Sequence, residues 1–380
     1  MNNFVFKNPT EIIFGKETIQ ELATRLPSKS TVLLLYGGGS IKRNGVYEQT
    51  RKALRGHRVI EFGGIEPNPL YETCMEAVAK VRSAKVNFIL AVGGGSVLDA
   101  SKFIAAAALY KGRDPWEILR THGTNVTAAI PVGTVLTLPA TGSESNGSSV
   151  ISRAKTHEKL HFTSNRVFPV FSILDPQTTF SLPKRQVRNG IVDAVAHVME
   201  QYMTYPCAAP LQDRLAEGIL QTLVEVGAGT LKNPTNYDLR ASFMWSANLA
   251  LNTLIGCGVP QDWSTHMIGH ELTAFYGLDH AETLAIIMPG VWTHELKRKE
   301  AKLKQYGKRV WNVKTATQAI AMTEKYFHSL GMPTRFRDYE IDAAEAAKWL
   351  STRFAERGST FGEHNTLKPR DVAAILKLRA

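Results

Sequence analysis

Asp193 and His197 in D-A-V-A-H, and His266 and His270 in H-M-I-G-H, form two pairs of metal-binding residue types spaced four apart, and His280 follows ten residues after the second pair. On helices each pair projects from one face, about a turn apart. Gly277 is placed to end the second helix before His280. Three or four of these side chains can converge on one divalent cation. A carboxylate with imidazoles suits Zn(II) or Fe(II), and no cysteine is placed to make a thiolate site. The alternative is a set of ordinary core or surface histidines. Against it stands their concentration in two compact clusters, while the other histidines, from His57 to His364, are scattered.

Two β-rich apolar runs upstream end in the same four residues. Gly37-Gly38-Gly39-Ser40 follows T-V-L-L-L-Y, and Gly93-Gly94-Gly95-Ser96 follows F-I-L-A-V. Glycine lets backbone turn sharply and approach a ligand with no Cβ in the way. Where such a loop opens a helix, its N–H groups and the helix dipole attract phosphate. The second loop runs into V-L-D-A-S-K-F-I, so Gly94, Gly95 and Ser96 are the pyrophosphate candidates. In the first loop, Gly38, Gly39 and Ser40 offer N–H and hydroxyl donors, with Lys42 and Arg43 just beyond, but no carboxylate to accept from a ribose hydroxyl. That favours NADP(H) over NAD(H). A third polar cluster runs from Thr137 through Thr141, Gly142, Ser143 and Glu144 to Asn146. Its hydroxyls suit a ribose or phosphate contact, and they suit a capped turn equally well.

The elements that must position these groups differ between the two halves. Thr31 to Tyr36, Val59 to Phe62, Phe88 to Val92, Ala129 to Val132 and Phe171 to Leu174 read as short strands. Helical segments, such as Tyr71 to Ala84 and Val97 to Leu109, lie between them. Strands separated by helices indicate a parallel sheet covered on both faces, here a Rossmann-like α/β domain. From Pro183 onward long helical periodicities dominate. The expected division is therefore 1–182, an α/β dinucleotide-binding domain, and 183–380, an all-α metal-binding domain.

A chain of 380 residues with 44% hydrophobic and 21% charged residues has the composition of a soluble globular protein of two domains. No apolar run is long enough to span a bilayer, and Met1-Asn2-Asn3-Phe4 does not begin a secretory signal. Three widely spaced cysteines, an odd number, argue against a disulfide framework. A cytoplasmic location is expected. The net charge of +11 raises the question of nucleic acid. The densest basic stretch, Lys297 to Arg309, carries Leu296, Leu303, Tyr306 and Val310 at helical spacing and so reads as a solvated helix face. Neither nucleic acid nor membrane is expected as a partner, and a positive field favours capture of a polyanionic cofactor.

Taken together, E-I-I-F-G-K at Glu11 to Lys16, the paired G-G-G-S loops, E-P-N-P at Glu66 to Pro69, G-G-G-S-V-L-D, T-G-S-E at Thr141 to Glu144, Leu182-Pro183, D-A-x-x-H and H-x3-H-x9-H resemble the iron-containing alcohol dehydrogenase family. The likeness is to its branch of bacterial NADPH-dependent aldehyde reductases and butanol dehydrogenases, and it covers nearly the whole chain. It implies a dehydroquinate synthase-like architecture, with a divalent metal, Fe2+ or Zn2+, in the cleft between an α/β and a helical domain. By the same resemblance Asp193, His197, His266 and His280 bind the metal, while His270 stays off it, near substrate and nicotinamide. Gly38 and Ser40 would lie by the adenosine ribose, Gly95 and Ser96 at the pyrophosphate, and Asp99 and Asn68 farther along the cofactor. Thr137, Thr141 and Ser143 would sit beside its phosphates and ribose, with Thr179, Leu182 and Lys159 as further cofactor-side positions.

The implied reaction is reversible, metal-assisted reduction of an aldehyde to a primary alcohol by NADPH, in a homodimer. The alternatives are a glycerol dehydrogenase-like or 3-dehydroquinate synthase-like enzyme of the same architecture. The former normally favours NAD. The latter needs several Lys and Arg near the metal, whereas V-M-E-Q-Y and D-W-S-T are largely apolar or neutral. Two departures stand out: the family signature usually ends in Pro-His-Gly, here Asp279-His280-Ala281, and Glu271 replaces a proline often found after the middle histidine.

Overall fold

The computed structural model describes residues 1–380. Its first part runs β1 (Glu11–Phe14), the single turn α1 (Leu22–Arg25), β2 (Thr31–Tyr36), α2 (Val46–Ala53), β3 (Arg58–Phe62), α3 (Tyr71–Ala84), β4 (Phe88–Gly94), α4 (Gly95–Leu109), the turn α5 (Glu117–Arg120), β5 (Val132–Leu138), β6 (Ser148–Arg153), β7 (Glu158–Thr163) and β8 (Phe171–Leu174). Six strands form one parallel sheet in the order β1-β8-β5-β4-β2-β3, and β6 and β7 pair antiparallel. The central strands are apolar throughout because both faces are covered. Leu33, Leu35, Ile89 and Ala91 join the core under α3 and α4, while Val32, Leu34, Leu90 and Val92 join the core on the opposite face.

The strand order places the glycine loops. From β2 the chain crosses to β3 at one edge, returns to β4 on the other side of β2, and continues outward to β5 and β8. The winding reverses between β2 and β4, and a crevice forms at the carboxyl ends of strands at such a switch point. Both G-G-G-S loops leave those two strands. A Cβ on Gly95 would lie 2.7 Å from Thr141 Oγ1, so glycine is what lets the α4 N-terminus close on the T-G-S-E turn.

One strand is displaced from the sequence expectation. Ala129 to Val132 reads as a strand, but the ladder begins at Val132 and runs to Leu138. Pro131 has no N–H to donate, and the buried run after it supplies the strand. Thr137, expected in the loop beyond, is therefore a strand residue.

The helical part comprises α6 (Lys184–Tyr202), α7 (Pro210–Lys232), α8 (Tyr237–Ala250), α9 (Ser264–Tyr276), α10 (His280–His294), α11 (Leu296–Tyr306), α12 (Ala316–Ser329), α13 (Ala343–Glu356) and α14 (Pro369–Lys377). α10 is central: every residue from Ala281 through Trp292 is buried, and α6, α9, α12 and α14 pack on it. No helix is long and apolar enough to cross a membrane.

The chain forms two compact units, Lys7–Pro183 with Asn233–Asn252, and Met1–Phe6 with Lys184–Lys232 and Thr253–Ala380. This corrects the simple division into 1–182 and 183–380 in two segments. α8 belongs with the sheet unit, because Asn248 Nδ2 donates to Glu144 Oε1 (2.8 Å) and Ser145 Oγ (2.7 Å) and Trp245 packs edge-on against Phe14. The N-terminal six residues belong with the helices, where the Met1 ammonium donates to the Cys207 carbonyl (2.5 Å) and Asn2 N to the Gly258 carbonyl (2.8 Å).

Candidate metal and dinucleotide sites

Within the helical unit, α6 carries Asp193 and His197 on successive turns, α9 carries His266 and His270, and α10 begins with His280. Gly277 closes α9 with φ of 70°, a left-handed value that glycine adopts without a steric penalty. The short link that follows delivers His280 against α6. Donor atoms of Asp193, His266 and His280 all lie within 4.8 Å of one another. Asp193 Oδ1 stands 3.6 Å from His197 Nδ1 and 3.7 Å from His280 Nε2. The His197 and His266 rings are 4.7 Å apart, and His266 and His280 5.0 Å. His270 lies 5.2 Å from His280 and 6.2 Å from His266, so all five side chains come together.

Asp193 Oδ1 is buried and accepts no hydrogen bond. A carboxylate oxygen withdrawn from water calls for a cation. Surrounded by imidazoles at these separations, it offers the oxygen and nitrogen donor set of a divalent-metal site.

Glu200, one turn beyond His197 and buried, was not singled out by sequence. Its Oε1 accepts from the amides of Thr265 (2.6 Å) and His266 (3.3 Å), and its Oε2 meets His266 Nδ1. Burial pushes the Glu200 carboxyl up, as does neighbouring Asp262, while the two amides oppose the rise. Asp262 in turn accepts from Ser264 N (3.0 Å) and Oγ (2.6 Å) at the start of α9, and from Lys299 Nζ (2.8 Å), a buried ammonium that also reaches Glu363. Glu271 is a buried carboxylate between Arg353 (2.5 Å) and Arg357 (2.5 Å), so the proline it replaces gives way to an ion-paired tie between α9 and α13.

In the sheet unit the expected cofactor residues fall into three local groups. Asn68, held at φ of 56°, donates its N–H to Ser96 Oγ (3.3 Å) and accepts from Lys159 Nζ (2.9 Å). Asp99 accepts from Ser143 Oγ (2.6 Å) and Val150 N (3.0 Å), and Ser143 N donates to Thr141 Oγ1 (3.2 Å). Gly38, Gly39 and Ser40 form the third group, and they adjoin the Thr179 to Leu182 turn through Asn44 Nδ2 and Ser181 Oγ (3.1 Å). Gly94 and Gly95 lie at the α4 N-terminus, whose first-turn amides have no partner within the helix.

Lys102 knits the second group together, donating to Ser143 Oγ (2.8 Å), Asn146 Oδ1 (3.0 Å) and the Ser148 carbonyl (2.8 Å). Burial lowers its ammonium to about 8, against the pull of Asp99 and Glu144. Burial likewise raises Asp99, opposed by Lys102. The one advance signal was a lysine inside the otherwise apolar S-K-F-I-A-A-A-A run.

The description "Iron-containing alcohol dehydrogenase" fits residues 9–176 as a family model, and "Fe-containing alcohol dehydrogenase family, C-terminal" fits residues 188–379. The chain belongs to the iron-containing alcohol dehydrogenase family. Among members of that family it is 55% identical over 375 residues to the NADPH-dependent aldehyde reductase YqhD of Escherichia coli, covering 97% of each chain. It is 41% identical to the probable NADH-dependent butanol dehydrogenase 1 of Bacillus subtilis, covering 99% of each. The crystal structure of Escherichia coli YqhD superposes with a TM-score of 0.98 at 52% identity, covering 100% of this chain and 99% of the other. Both units are thus those of the family, an α/β unit bearing the glycine loops and a helical unit bearing the histidines.

Proposed function

We propose that this protein reduces short aldehydes to primary alcohols, reversibly, using NADP(H) and one divalent metal, Fe2+ or Zn2+, held by Asp193, His197, His266 and His280. The observation that carries the reading is the buried Asp193 oxygen that accepts no hydrogen bond, facing converging imidazoles. When bound, the metal supplies Lewis-acid polarisation of the carbonyl oxygen and the dihydronicotinamide supplies the hydride.

The protein's own groups do the rest. Glu200 accepts from His266 Nδ1 and so selects the tautomer that presents Nε2 as a ligand. Its two backbone donors, Thr265 and His266, hold the carboxylate in that orientation. His270 gives a proton to the product oxygen in reduction and removes it in oxidation. Gly94, Gly95 and Ser96 cradle the pyrophosphate at the α4 N-terminus. Asn68, Lys159, Asp99, Thr137, Thr141, Ser143 and Asn146 line the cofactor beyond it. Gly38, Gly39 and Ser40, with Thr179 and Leu182, take the adenosine end.

Purified protein is expected to carry one equivalent of metal and to turn over a panel of short aldehydes with NADPH preferred to NADH. Protein without bound metal that is inactive on every aldehyde after reconstitution with Fe2+ and Zn2+ would overturn the reading.

The relatives' names divide between NADPH and NADH, and the proposed preference for NADPH rests on the first glycine loop, which carries donors and no carboxylate. Each tenfold preference in kcat/KM corresponds to about 1.4 kcal/mol, within reach of a few charge-assisted hydrogen bonds to the 2′-phosphate. Gly39 has φ of 86°, and a Cβ there would meet nothing within 4 Å. Asp tolerates that backbone better than most residues. Gly39→Asp should therefore fold and should erode or reverse the preference, its carboxylate repelling a phosphate and accepting from a free ribose hydroxyl. An unchanged NADPH to NADH ratio of kcat/KM would show that this loop does not read the ribose.

A further inference from the structure

The departure Asp279-His280-Ala281 has a structural counterpart on α6. Asp279 is the N-cap of α10, with φ of −60°. That is the value a proline ring imposes, so the usual proline of the signature would fit this φ but would lack the N–H that Glu282 accepts. Besides that N–H, aspartate adds a carboxylate. Oδ2 accepts from Asn189 Nδ2 at 2.6 Å and from Arg185 at 2.8 Å. Arg185, Asn189, Asp193 and His197 form a single i, i+4 row along α6. The residue just before one ligand candidate is thereby tied to the residue one turn before another.

A second carboxylate reinforces the tie. Glu282 Oε2 accepts from Asp279 N at 3.0 Å, while Oε1 lies 3.4 Å from Arg188 and 3.7 Å from Arg185. The Arg185 pairs involve an exposed guanidinium and are weak singly. The Asn189 hydrogen bond, at 2.6 Å, is much shorter than the 3.4 Å one from Arg188 to Glu282, and it involves the residues next to the 3.7 Å gap between Asp193 Oδ1 and His280 Nε2.

We infer that Asn189 and Asp279 form a positioning clamp that sets the spacing of Asp193 and His280 for the metal. The inference rests on the metal reading above. Outer residues that orient ligands typically contribute about 10–100-fold to metal affinity. Helix capping alone would also explain an aspartate at this position, and the two roles separate cleanly. Asn189→Ala breaks the clamp and leaves the cap untouched. Asp279→Ser keeps a good N-cap side chain that is too short to reach Asn189.

The test measures the rate at which holoenzyme loses metal to excess chelator, alongside the Tm of the metal-free protein. Asn189→Ala and Asp279→Ser should each speed metal loss by about tenfold. The double variant should be no faster than the faster single, because Asp279→Ser already removes the Asn189 contact, together with the Arg185 pair. Metal-free Tm should stay near that of the unmodified protein. The exchange Asn189→Asp with Asp279→Asn reverses donor and acceptor, keeps a favourable N-cap, and should recover most of the retention. Unchanged metal loss in both single variants, additive effects in the double, or losses that merely follow a falling metal-free Tm would overturn the clamp. An unmodified protein that binds no metal would instead overturn the metal reading, so the two failures are distinguishable.

Discussion

His266→Ala should yield a folded protein that no longer holds metal tightly and has lost roughly 10³-fold or more of its aldehyde reductase activity, since Lewis-acid stabilisation of the developing alkoxide contributes several kcal/mol. Asp193→Ala, His197→Ala and His280→Ala should do the same. Asp193→Ala removes the only carboxylate among the proposed ligands, leaving three neutral imidazoles and no negative charge to balance a divalent ion. His266→Ala also deprives Glu200 of its imidazole partner and leaves a buried carboxylate with only the Thr265 and His266 amides. That variant should therefore lose some thermal stability even without metal. The measurement is metal content by elemental analysis after gel filtration, paired with turnover of one short aldehyde with NADPH. Full metal occupancy and normal turnover in His266→Ala would remove this histidine from the proposed ligand set.

The two helical pairs were legible in sequence because their spacing is local, whereas the meeting of α6, α9 and α10 around them is a matter of packing. Four-residue spacing places side chains on one helical face, and Gly277 marks where α9 stops and the chain turns back. β2 and β8 coincide with their apolar runs for a similar reason, since a parallel strand covered on both faces needs no periodicity. The misplacement of β5 came from weighting the apolar residues Ala129 to Val132 above the ladder-breaking effect of Pro131.

What stayed hidden depends on partners far away in the chain. Nothing local announces that α8 belongs with the sheet unit, because Asn248 finds Glu144 and Ser145 about a hundred residues upstream. The β6–β7 pair was missed because its turn, Ala154 to His157, lacks the glycine or Asn-Gly signal of a tight hairpin and instead puts His157 at φ of 48°. Nothing in V-M-E-Q-Y marks Glu200, and only the packing of α6 against the start of α9 gives it His266. Asp279 was visible as a departure from a pattern, but its meaning required knowing that Asn189 lies across from it.

The proposed site assigns His270 to chemistry rather than ligation, and its replacement should tell the two apart. With Asp193, His197, His266 and His280 all on the metal, a substrate oxygen would be a fifth ligand, and a fifth side chain would compete with it for that position. His270 lies one helical turn beyond His266, with its ring 6.2 Å from that of His266, whereas the rings of His197 and His280 lie 4.7 and 5.0 Å from it. It remains within one side chain's reach of the cluster, 5.2 Å from His280, and is buried. That is the placement of a group that moves a proton to or from an oxygen held in the site. His270→Ala should accordingly keep its equivalent of metal while kcat falls by roughly 10²-fold or more, the usual contribution of a positioned acid or base. KM for the aldehyde should change far less, since proton transfer matters in the transition state more than in binding. Loss of metal to the same extent as in His266→Ala would instead make His270 a ligand. Retained metal with unchanged kcat would move the proton transfer to another group.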